Sequence, residues 1–472
     1  VSTAAQTAYP VLVIGAGISG LACAYHLQQA GIPVNAVEAG TRPGGVIATK
    51  EKDGFRFDLG PQSFLTTEPL LKLIDALGLK DQLQHADPRA PRYILLRGKL
   101  VPAPMSPPSL FSTPLFSAGT KWRILTEILR HTQPPAEDES IAAFVRRKFG
   151  SELLDRMVAP FVSGVYAGDP ERLSMRASFP KIHEFESQYG SVLRGTMKSR
   201  PAKGAPRAVL CSFRDGMETL PRAIASRLGS SLHLQTSVTA IRRGKANGKP
   251  WFEIDITRRD QHETLAASAI ILATPTQITS QILATLSDSF APILSRIEYA
   301  PVAVLSACYR REQFQRPPNG FGFLVPRTEG LHVLGTVFNS SLFVGRAPEG
   351  MVSLTSFSGG ATDPKFCELS DREITETICV EVARVLGTSE MPVATNLQRY
   401  ARALPQYNVG HMQIVKSLDT LTESIPGLFL AGNYLSGPSI GSSVDQAFRT
   451  ADAARIYLAS IGVAGVGAVA HA

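Results

Sequence analysis

Residues 11–38 read VLVIGAGISGLACAYHLQQAGIPVNAVE, and their pattern decides the fold. Val11–Ile14 is a short apolar, β-branched run of the kind that forms a strand buried on both faces. Gly15-Ala16-Gly17-Ile18-Ser19-Gly20 follows. Ile18, Leu21, Ala22, Tyr25 and Leu27 then recur at helical spacing as far as Gly31, a helix stop. Val34–Val37 is a second strand, closed by Glu38. Each part has a physical task. Gly15 permits a tight turn, Gly17 lets a pyrophosphate approach the backbone, and Gly20 lets helix and strand pack closely. The helix start, at Ile18 and Ser19, offers free N–H groups and a positive dipole end to phosphates. Glu38 is placed to accept hydrogen bonds from ribose hydroxyls, and an acid there disfavours a 2′-phosphate. A lone GxGxxG says little. In the order strand, turn, helix, strand, acid it reads as a dinucleotide-binding unit.

Arg42-Pro43-Gly44-Gly45 comes shortly after Glu38, and Gly60-Pro61-Gln62-Ser63 soon after that. Taken alone, the glycine pair is equally an ordinary turn. It resembles, however, the second glycine signature of the two-dinucleotide-binding flavoproteins, the amine oxidase-like group, where it means FAD. That resemblance adds Ala39, Arg42, Gly44, Gly45, Gly60, Pro61, Gln62 and Ser63 to the expected site of a non-covalent FAD. At the far end, residues 427–448 read GLFLAGNYLSGPSIGSSVDQAF. Leu428–Ala431 reads as another buried strand and Gly432-Asn433 as a tight turn. Ser442 or Ser443 suits the N-cap of a final helix. Such a helix can aim its N–H groups at the flavin pyrimidine and stabilise negative charge there. Gly432, Asn433, Pro438, Ser439, Ile440 and Val444 are the cofactor candidates in this stretch. Val238 and the Ala269–Pro275 strand, with Thr274, read as segments that return to the same domain.

Composition sets the remaining bounds. The 472 residues suffice for two to four domains with large cores. With 44% hydrophobic and 19% charged residues the chain is globular rather than disordered. Five scattered cysteines without CxxC or Cys/His spacing argue against a disulfide scaffold or a metal site, and for a reducing compartment. No apolar run reaches the roughly 18–20 residues of a membrane span. The tail from Ile456 to Ala470 reads as a helix end followed by a frayed terminus. The first eight residues carry no charge and do not read as a signal or transit segment.

The net charge of +8 is local. Residues 89–210 carry 19 basic and 10 acidic residues, and the rest of the chain is close to neutral. In this segment Val101–Phe116 holds five prolines among Leu110, Phe111, Leu115 and Phe116. A helix pattern follows through Trp122, Leu125, Ile128 and Leu129. A second runs through Phe144, Phe149, Leu153 and Met157 beside Arg146-Arg147-Lys148. Proline-broken apolar loops flanked by Lys and Arg suit an anionic membrane interface, although apolar faces packed internally beneath solvated charges would give the same pattern. No aromatic–basic stacking pattern points to nucleic acid. From 297 to 424 the runs Pro301–Cys308, Phe321–Val325, Val333–Phe338 and Met351–Phe357 are strand-like, and Asp371–Leu386 reads as a helix.

Two stretches then carry a closer likeness: Phe161-Val162-Ser163-Gly164-Val165-Tyr166-Ala167-Gly168-Asp169-Pro170 and Gly320-Phe321-Gly322-Phe323-Leu324-Val325-Pro326. Leu334-Gly335-Thr336, Phe343 through Arg346-Ala347-Pro348, and Pro405 through His411 join them. Together they are similar to the oxygen-dependent protoporphyrinogen oxidase family, in its bacterial and plastid form, over about residues 9–460. The resemblance implies six-electron oxidation of protoporphyrinogen IX to protoporphyrin IX, with FAD taking hydride, oxygen as acceptor and hydrogen peroxide as product. A coproporphyrinogen III oxidase, an amine oxidase or a carotenoid desaturase would share the scaffold, and Val46 stands where amine oxidases usually carry arginine. The implied fold class is α/β. It has a discontinuous Rossmann-like FAD-binding domain (9–88, 211–296, 425–460), a helical membrane-binding domain (89–210) and an antiparallel-sheet substrate domain (297–424). The implied partners are the tetrapyrrole, molecular oxygen and an anionic bacterial or plastid membrane. A homodimer is compatible with this.

Site roles follow the same likeness. Read from the residues alone, Arg92 is a surface arginine at a domain junction; the resemblance makes it the partner of a substrate propionate. Leu324 and Leu334 match a pair holding a pyrrole ring, Phe357 an aromatic on another ring, and Gly164 a backbone segment near the macrocycle. Without the resemblance Leu324, Leu334 and Phe357 are ordinary sheet core. No catalytic His, Asp or Cys stands out, which suits hydride chemistry carried by a positioned cofactor. His411, Gln406 and Tyr407 read as structural.

Overall fold

The computed structural model describes residues 8–199, 208–246 and 249–463. Strand Ala8–Ile14 lies between Val34–Val37 and Gln261–Leu272, and is parallel to both. Leu232–His233 extends this parallel sheet on one side, and Leu428–Leu430 pairs in parallel with Ile270–Leu272 on the other. All three sequence segments expected to build one dinucleotide-binding unit therefore share one sheet. Strands Thr236–Ala246, Lys249–Arg258 and Gln261–Leu272 form an antiparallel meander continuous with it.

Side-chain alternation along the central strand sorts the core into two layers. Val11 and Val13 face the helices Ile18–Gln29, Thr219–Leu228 and Ile440–Ser460. Leu12 and Ile14 face the meander and the helices Thr276–Leu283 and His411–Glu423. Strand Gln261–Leu272 begins polar and exposed and is buried at Ala269–Leu272, inside the parallel sheet.

The second sheet has seven strands in the order 394–405, 299–310, 351–359, 333–337, 322–324, 92–96, 99–102. It is antiparallel as expected except where Gly322–Leu324 runs parallel to Arg92–Ile94. Helix Asp371–Leu386 covers one face through Ile374, Ile378 and Val382. Residues 92–102, expected to open the helical segment, are instead a hairpin on the edge of this sheet. Its turn is Arg97-Gly98, both at positive φ, the two-residue geometry that matches strand twist.

Helices of the 89–210 segment begin at Pro107 and enclose a core of Leu115, Phe144, Phe149, Leu153, Leu154 and Val162. The two helix patterns separate here. The Phe144 pattern packs inward, while Trp122 and Leu129 are 70% and 79% exposed, with Met105 and Phe111 also exposed. Arg146-Arg147-Lys148 is not the free basic surface the sequence suggests. Lys148 is buried between Glu127 (2.9 Å) and Glu186 (3.2 Å), Arg147 pairs with Glu139 and Glu186, and Arg146 pairs with Glu171. No described helix is long and apolar enough to cross a membrane. The last helix ends at Ser460, and residues 464–470 of the expected frayed tail lie outside the described residues. All five cysteines are free thiols.

Candidate active site

The glycine turn is assembled by contacts that exclude a side chain. Gly15 has φ +99° and donates its N–H to the Val37 carbonyl at 2.8 Å. A Cβ on Gly20 would lie 1.9 Å from the Gly15 carbonyl oxygen. Gly17 is different: no described atom comes within 4 Å of where its Cβ would stand. It is the N-cap of helix Ile18–Gln29, and no described side chain caps that helix or places an acid in its first turn. An open, uncapped helix start is suited to an anion.

The second glycine signature is bound to the first. Gly44 donates to the Ala16 carbonyl at 2.8 Å, and a Cβ on Gly45 would be 3.4 Å from Gly17 Cα. Arg42 clamps this loop by donating to the carbonyls of Pro43, Ile47 and Gly45. The Glu38 carboxylate accepts from Ala16 N–H and Gly40 N–H, both at 2.8 Å, so its side chain reaches back to the glycine turn beside exposed Ala39. Glu38 also accepts, through its carbonyl, the N–H of Thr236, which brings the strand of Val238 alongside. Thr274 lies against Gly15 and hydrogen-bonds Thr279 at 2.8 Å.

Gly60 packs on the same loop, its absent Cβ 2.4 Å from the Val46 carbonyl, and carries Pro61 and Ser63. Gln62 is buried, and its amide is engaged by the carbonyls of Asp58 and Gly60 and by Asn339 at 2.5 Å. It braces the loop from within. At the C-terminal element, Ser439 and not Ser442 or Ser443 is the N-cap: its hydroxyl accepts from Ser442 N–H at 3.0 Å. The helix starts one residue later, where buried Ile440 opens the apolar stripe that continues through Val444. Pro438 precedes the cap. Gly432 is held by Gln446, whose side chain also reaches the Leu430 carbonyl.

The open face of the second sheet gathers the other candidates. Gly335 is opposite both Leu324 and Phe357 across their strands. A Cβ on Gly164 would fall 2.5 Å from Leu324 Cδ2, and Leu334 packs with Phe357 and Ala167. Phe161, Gly164 and Val165 form an exposed stripe on helix Ala159–Tyr166. Arg92 stands on the neighbouring strand, its guanidinium 5.1 Å from the Phe321 ring centre, with no described carboxylate paired to it. Leu324, Leu334, Phe357 and Gly164 thus converge, with Arg92 at the rim.

Sequence reading missed a buried ion pair that ties the loop after Phe343 to strand Phe55–Asp58 and to strand Leu210–Phe213. Arg346 and Asp58 are each about 1% exposed and pair at 2.8 Å. Arg346 also donates to Ser212 and to the Phe213 carbonyl. Burial pushes the Asp58 carboxyl upward against the pull of Arg346, Thr49 and Met217 N–H. His411 is buried, and burial lowers it to about 4 despite the Tyr434 backbone and Asp138, so it is neutral near pH 7. Among the described residues no group of His, Cys, Asp or Glu is placed to hold a metal ion.

A glycine-lined dinucleotide cradle in a parallel sheet, set against a mixed sheet with an open apolar face, defines a flavin-dependent oxidoreductase. The chain belongs to the flavin-containing amine oxidoreductase family, whose model matches residues 18–454. It is 36% identical to protoporphyrinogen oxidase 1 of Arabidopsis thaliana chloroplasts, over 93% of this chain and 87% of that one. It is 27% identical to coproporphyrinogen III oxidase of Bacillus subtilis, over 95% and 98%. Its fold matches, with a TM-score of 0.80 and 24% identity, a crystal structure from Exiguobacterium sp. 255-15 provisionally named a protoporphyrinogen oxidase, over 97% of this chain and all of that one.

Proposed function

We propose that this chain binds FAD non-covalently and oxidises protoporphyrinogen IX to protoporphyrin IX, a six-electron conversion in three rounds. Oxygen is the acceptor, hydrogen peroxide the second product, and tetrapyrrole synthesis the context. The observation that carries the reading is an apolar slot with one unpaired cation at its rim: Leu324 against Gly164, Leu334 with Phe357, and Arg92 outside. A largely apolar macrocycle with few carboxylates has that character. The relationship to plant protoporphyrinogen oxidases supports the same substrate.

The residues fit FAD. The uncapped start of helix Ile18–Gln29 at Gly17 would hold the pyrophosphate, and Glu38 retains lone pairs that would accept from ribose hydroxyls. When bound, the flavin supplies the two-electron acceptor. The chain's own work is positioning: the aliphatic and aromatic walls exclude water and fix the ring, and Arg92 fixes its edge. Purified protein should be yellow and should generate porphyrin fluorescence from protoporphyrinogen while consuming oxygen. A colourless, inactive protein would refute the proposal. The relative from Bacillus subtilis favours a second substrate, coproporphyrinogen III. Parallel assays on two- and four-carboxylate macrocycles separate the two.

Arg92→Ala is expected to raise KM by about ten- to a hundredfold while changing kcat little, because a charged hydrogen bond worth roughly 1.5–3 kcal/mol is lost from ground and transition state alike. Unchanged steady-state kinetics would remove Arg92 from the substrate site.

The helical segment is proposed to rest peripherally on an anionic bacterial or plastid membrane through Met105, Phe111, Trp122 and Leu129, with the protein monomeric or dimeric. Internal pairing of Arg146, Arg147 and Lys148 leaves fewer free cations than composition suggests. Apolar insertion then dominates. Replacing Trp122 and Leu129 together by alanine should weaken binding to anionic vesicles by at least about tenfold, and salt up to a few tenths molar should weaken it less. Vesicle flotation that ignores the double substitution would discard this surface.

A further inference from the structure

The stretch Pro405–His411 joins strand Ala394–Pro405 to helix His411–Glu423, and three lobes meet on it. Tyr407 is at its centre and is buried. Its hydroxyl donates to the carbonyl of Asn433 and lies beside Gly437, between the Gly432-Asn433 turn and the Ser439 helix cap. Its own carbonyl accepts from Ser174 N–H at 2.8 Å, and Leu173 pairs with Asn408 as an isolated bridge. Its ring meets Tyr166 edge-on at 6.1 Å and His411 at 4.7 Å. Asp138 secures the same joint by accepting from Ser174 Oγ (2.7 Å) and Gly410 N–H (3.0 Å), and Gln406 donates to the Tyr166 carbonyl at 3.0 Å.

This phenol contributes more than packing. A phenylalanine would fill the same volume but would lose the hydrogen bond to the 432–439 element. That element carries the turn and helix start assigned above to the cofactor. We infer that Tyr407 is a positioning residue for the flavin, acting through the Asn433 carbonyl to fix the 432–439 element and tying it to the helix that carries Phe161, Gly164 and Val165. The inference rests on the flavin assignment of that element. Through its ring on Tyr166, the same side chain links the element of the cofactor site to the helix beside the substrate residues. The hydroxyl is thus a direct tether between the two, beside the contact of His411 with the Tyr434 backbone.

The test uses the full-length holoenzyme. Tyr407→Phe keeps the ring and the packing on Tyr166 and His411 and removes only the donor. It should fold as wild type by circular dichroism and bind stoichiometric flavin. Its visible flavin spectrum should shift, and kcat should fall about tenfold with KM nearly unchanged, equivalent to about 1.4 kcal/mol of lost transition-state placement. Gln406→Leu, which loosens the joint but leaves the hydroxyl on Asn433, serves as the structural control and should lower thermal stability without moving the flavin spectrum. A wild-type spectrum and kcat in Tyr407→Phe would overturn the inference. So would an equal spectral shift in Gln406→Leu. Absence of flavin from the wild-type protein itself would instead refute the cofactor assignment, which keeps the two failures distinct.

Discussion

Gly20→Ala is expected to abolish flavin binding and to destabilise the protein even without cofactor. The new Cβ would lie 1.9 Å from the Gly15 carbonyl oxygen and 3.1 Å from Ala273 Cβ. Neither obstacle is a flexible side-chain tip: one is backbone of the turn itself, the other is the Cβ of the residue that directly follows strand Gln261–Leu272. Helix Ile18–Gln29 must therefore move off the sheet, disturbing the layer in which Leu21, Ala22 and Leu27 are fully buried. Overpacking of this kind costs about 3 kcal/mol. Gly17→Ala is the instructive partner. Its Cβ meets no described atom within 4 Å, so the apoprotein should melt as wild type. The methyl would nevertheless occupy the approach to the uncapped helix start, and flavin content should fall sharply. Apoprotein melting together with the flavin-to-protein absorbance ratio reads both effects. Equal stability of the two variants would show that Gly20 is not the packing glycine. Retained flavin in Gly17→Ala would show that the pyrophosphate lies elsewhere.

Those two glycines were legible because everything that defines them is local. A strand, a turn and a helix within thirty residues leave a periodicity, and the turn needs glycine where it bends and where it packs. The cap of the last helix was harder: Ser439, Ser442 and Ser443 are all suitable, and only burial of Ile440 decides among them. Position in the chain misled for residues 92–102, which adjoin the basic helices in sequence but hydrogen-bond with Gly322–Leu324. Charge misled for Lys148. A lysine beside two arginines looks solvated until Glu127 and Glu186, from distant turns, enclose it. Arg346 left no signal of its role at all. Its partner Asp58 lies in another lobe, and neither periodicity nor spacing records such a pairing. The apolar slot is intermediate: Leu324, Leu334 and Phe357 look like any sheet core, and only the resemblance singled them out.

Arg346→Met is therefore the second large effect, expected at a position far from any glycine motif. Removing the guanidinium leaves Asp58 with Thr49 Oγ1 at 2.6 Å and Met217 N–H at 2.8 Å but no paired countercharge, only the weaker pull of Arg56. Breaking one side of a buried pair costs about 3–5 kcal/mol. The loss should also depend on pH. Burial already pushes Asp58 upward, and Arg346 is the strongest force drawing it back down. Without Arg346 the native state holds the Asp58 proton more tightly than the unfolded chain does, whose carboxyl titrates near its ordinary value of about 3.9. A native-state value raised in this way means stability is retained below the unfolded value and falls as pH rises toward the native one. Urea unfolding of the variant should thus lose ground to wild type as pH rises above the unfolded value of about 3.9. Adding Asp58→Asn to the variant should recover much of the difference, because no buried charge remains. The same pair joins the loop after Phe343 to the strand that leads into Gly60, so Arg346→Met should also loosen the lobes against each other and lower flavin occupancy. Unfolding curves for Arg346→Met that coincide with wild type across that pH range would mean that Asp58 is neutral in the native protein and that the ion pair does not hold the lobes.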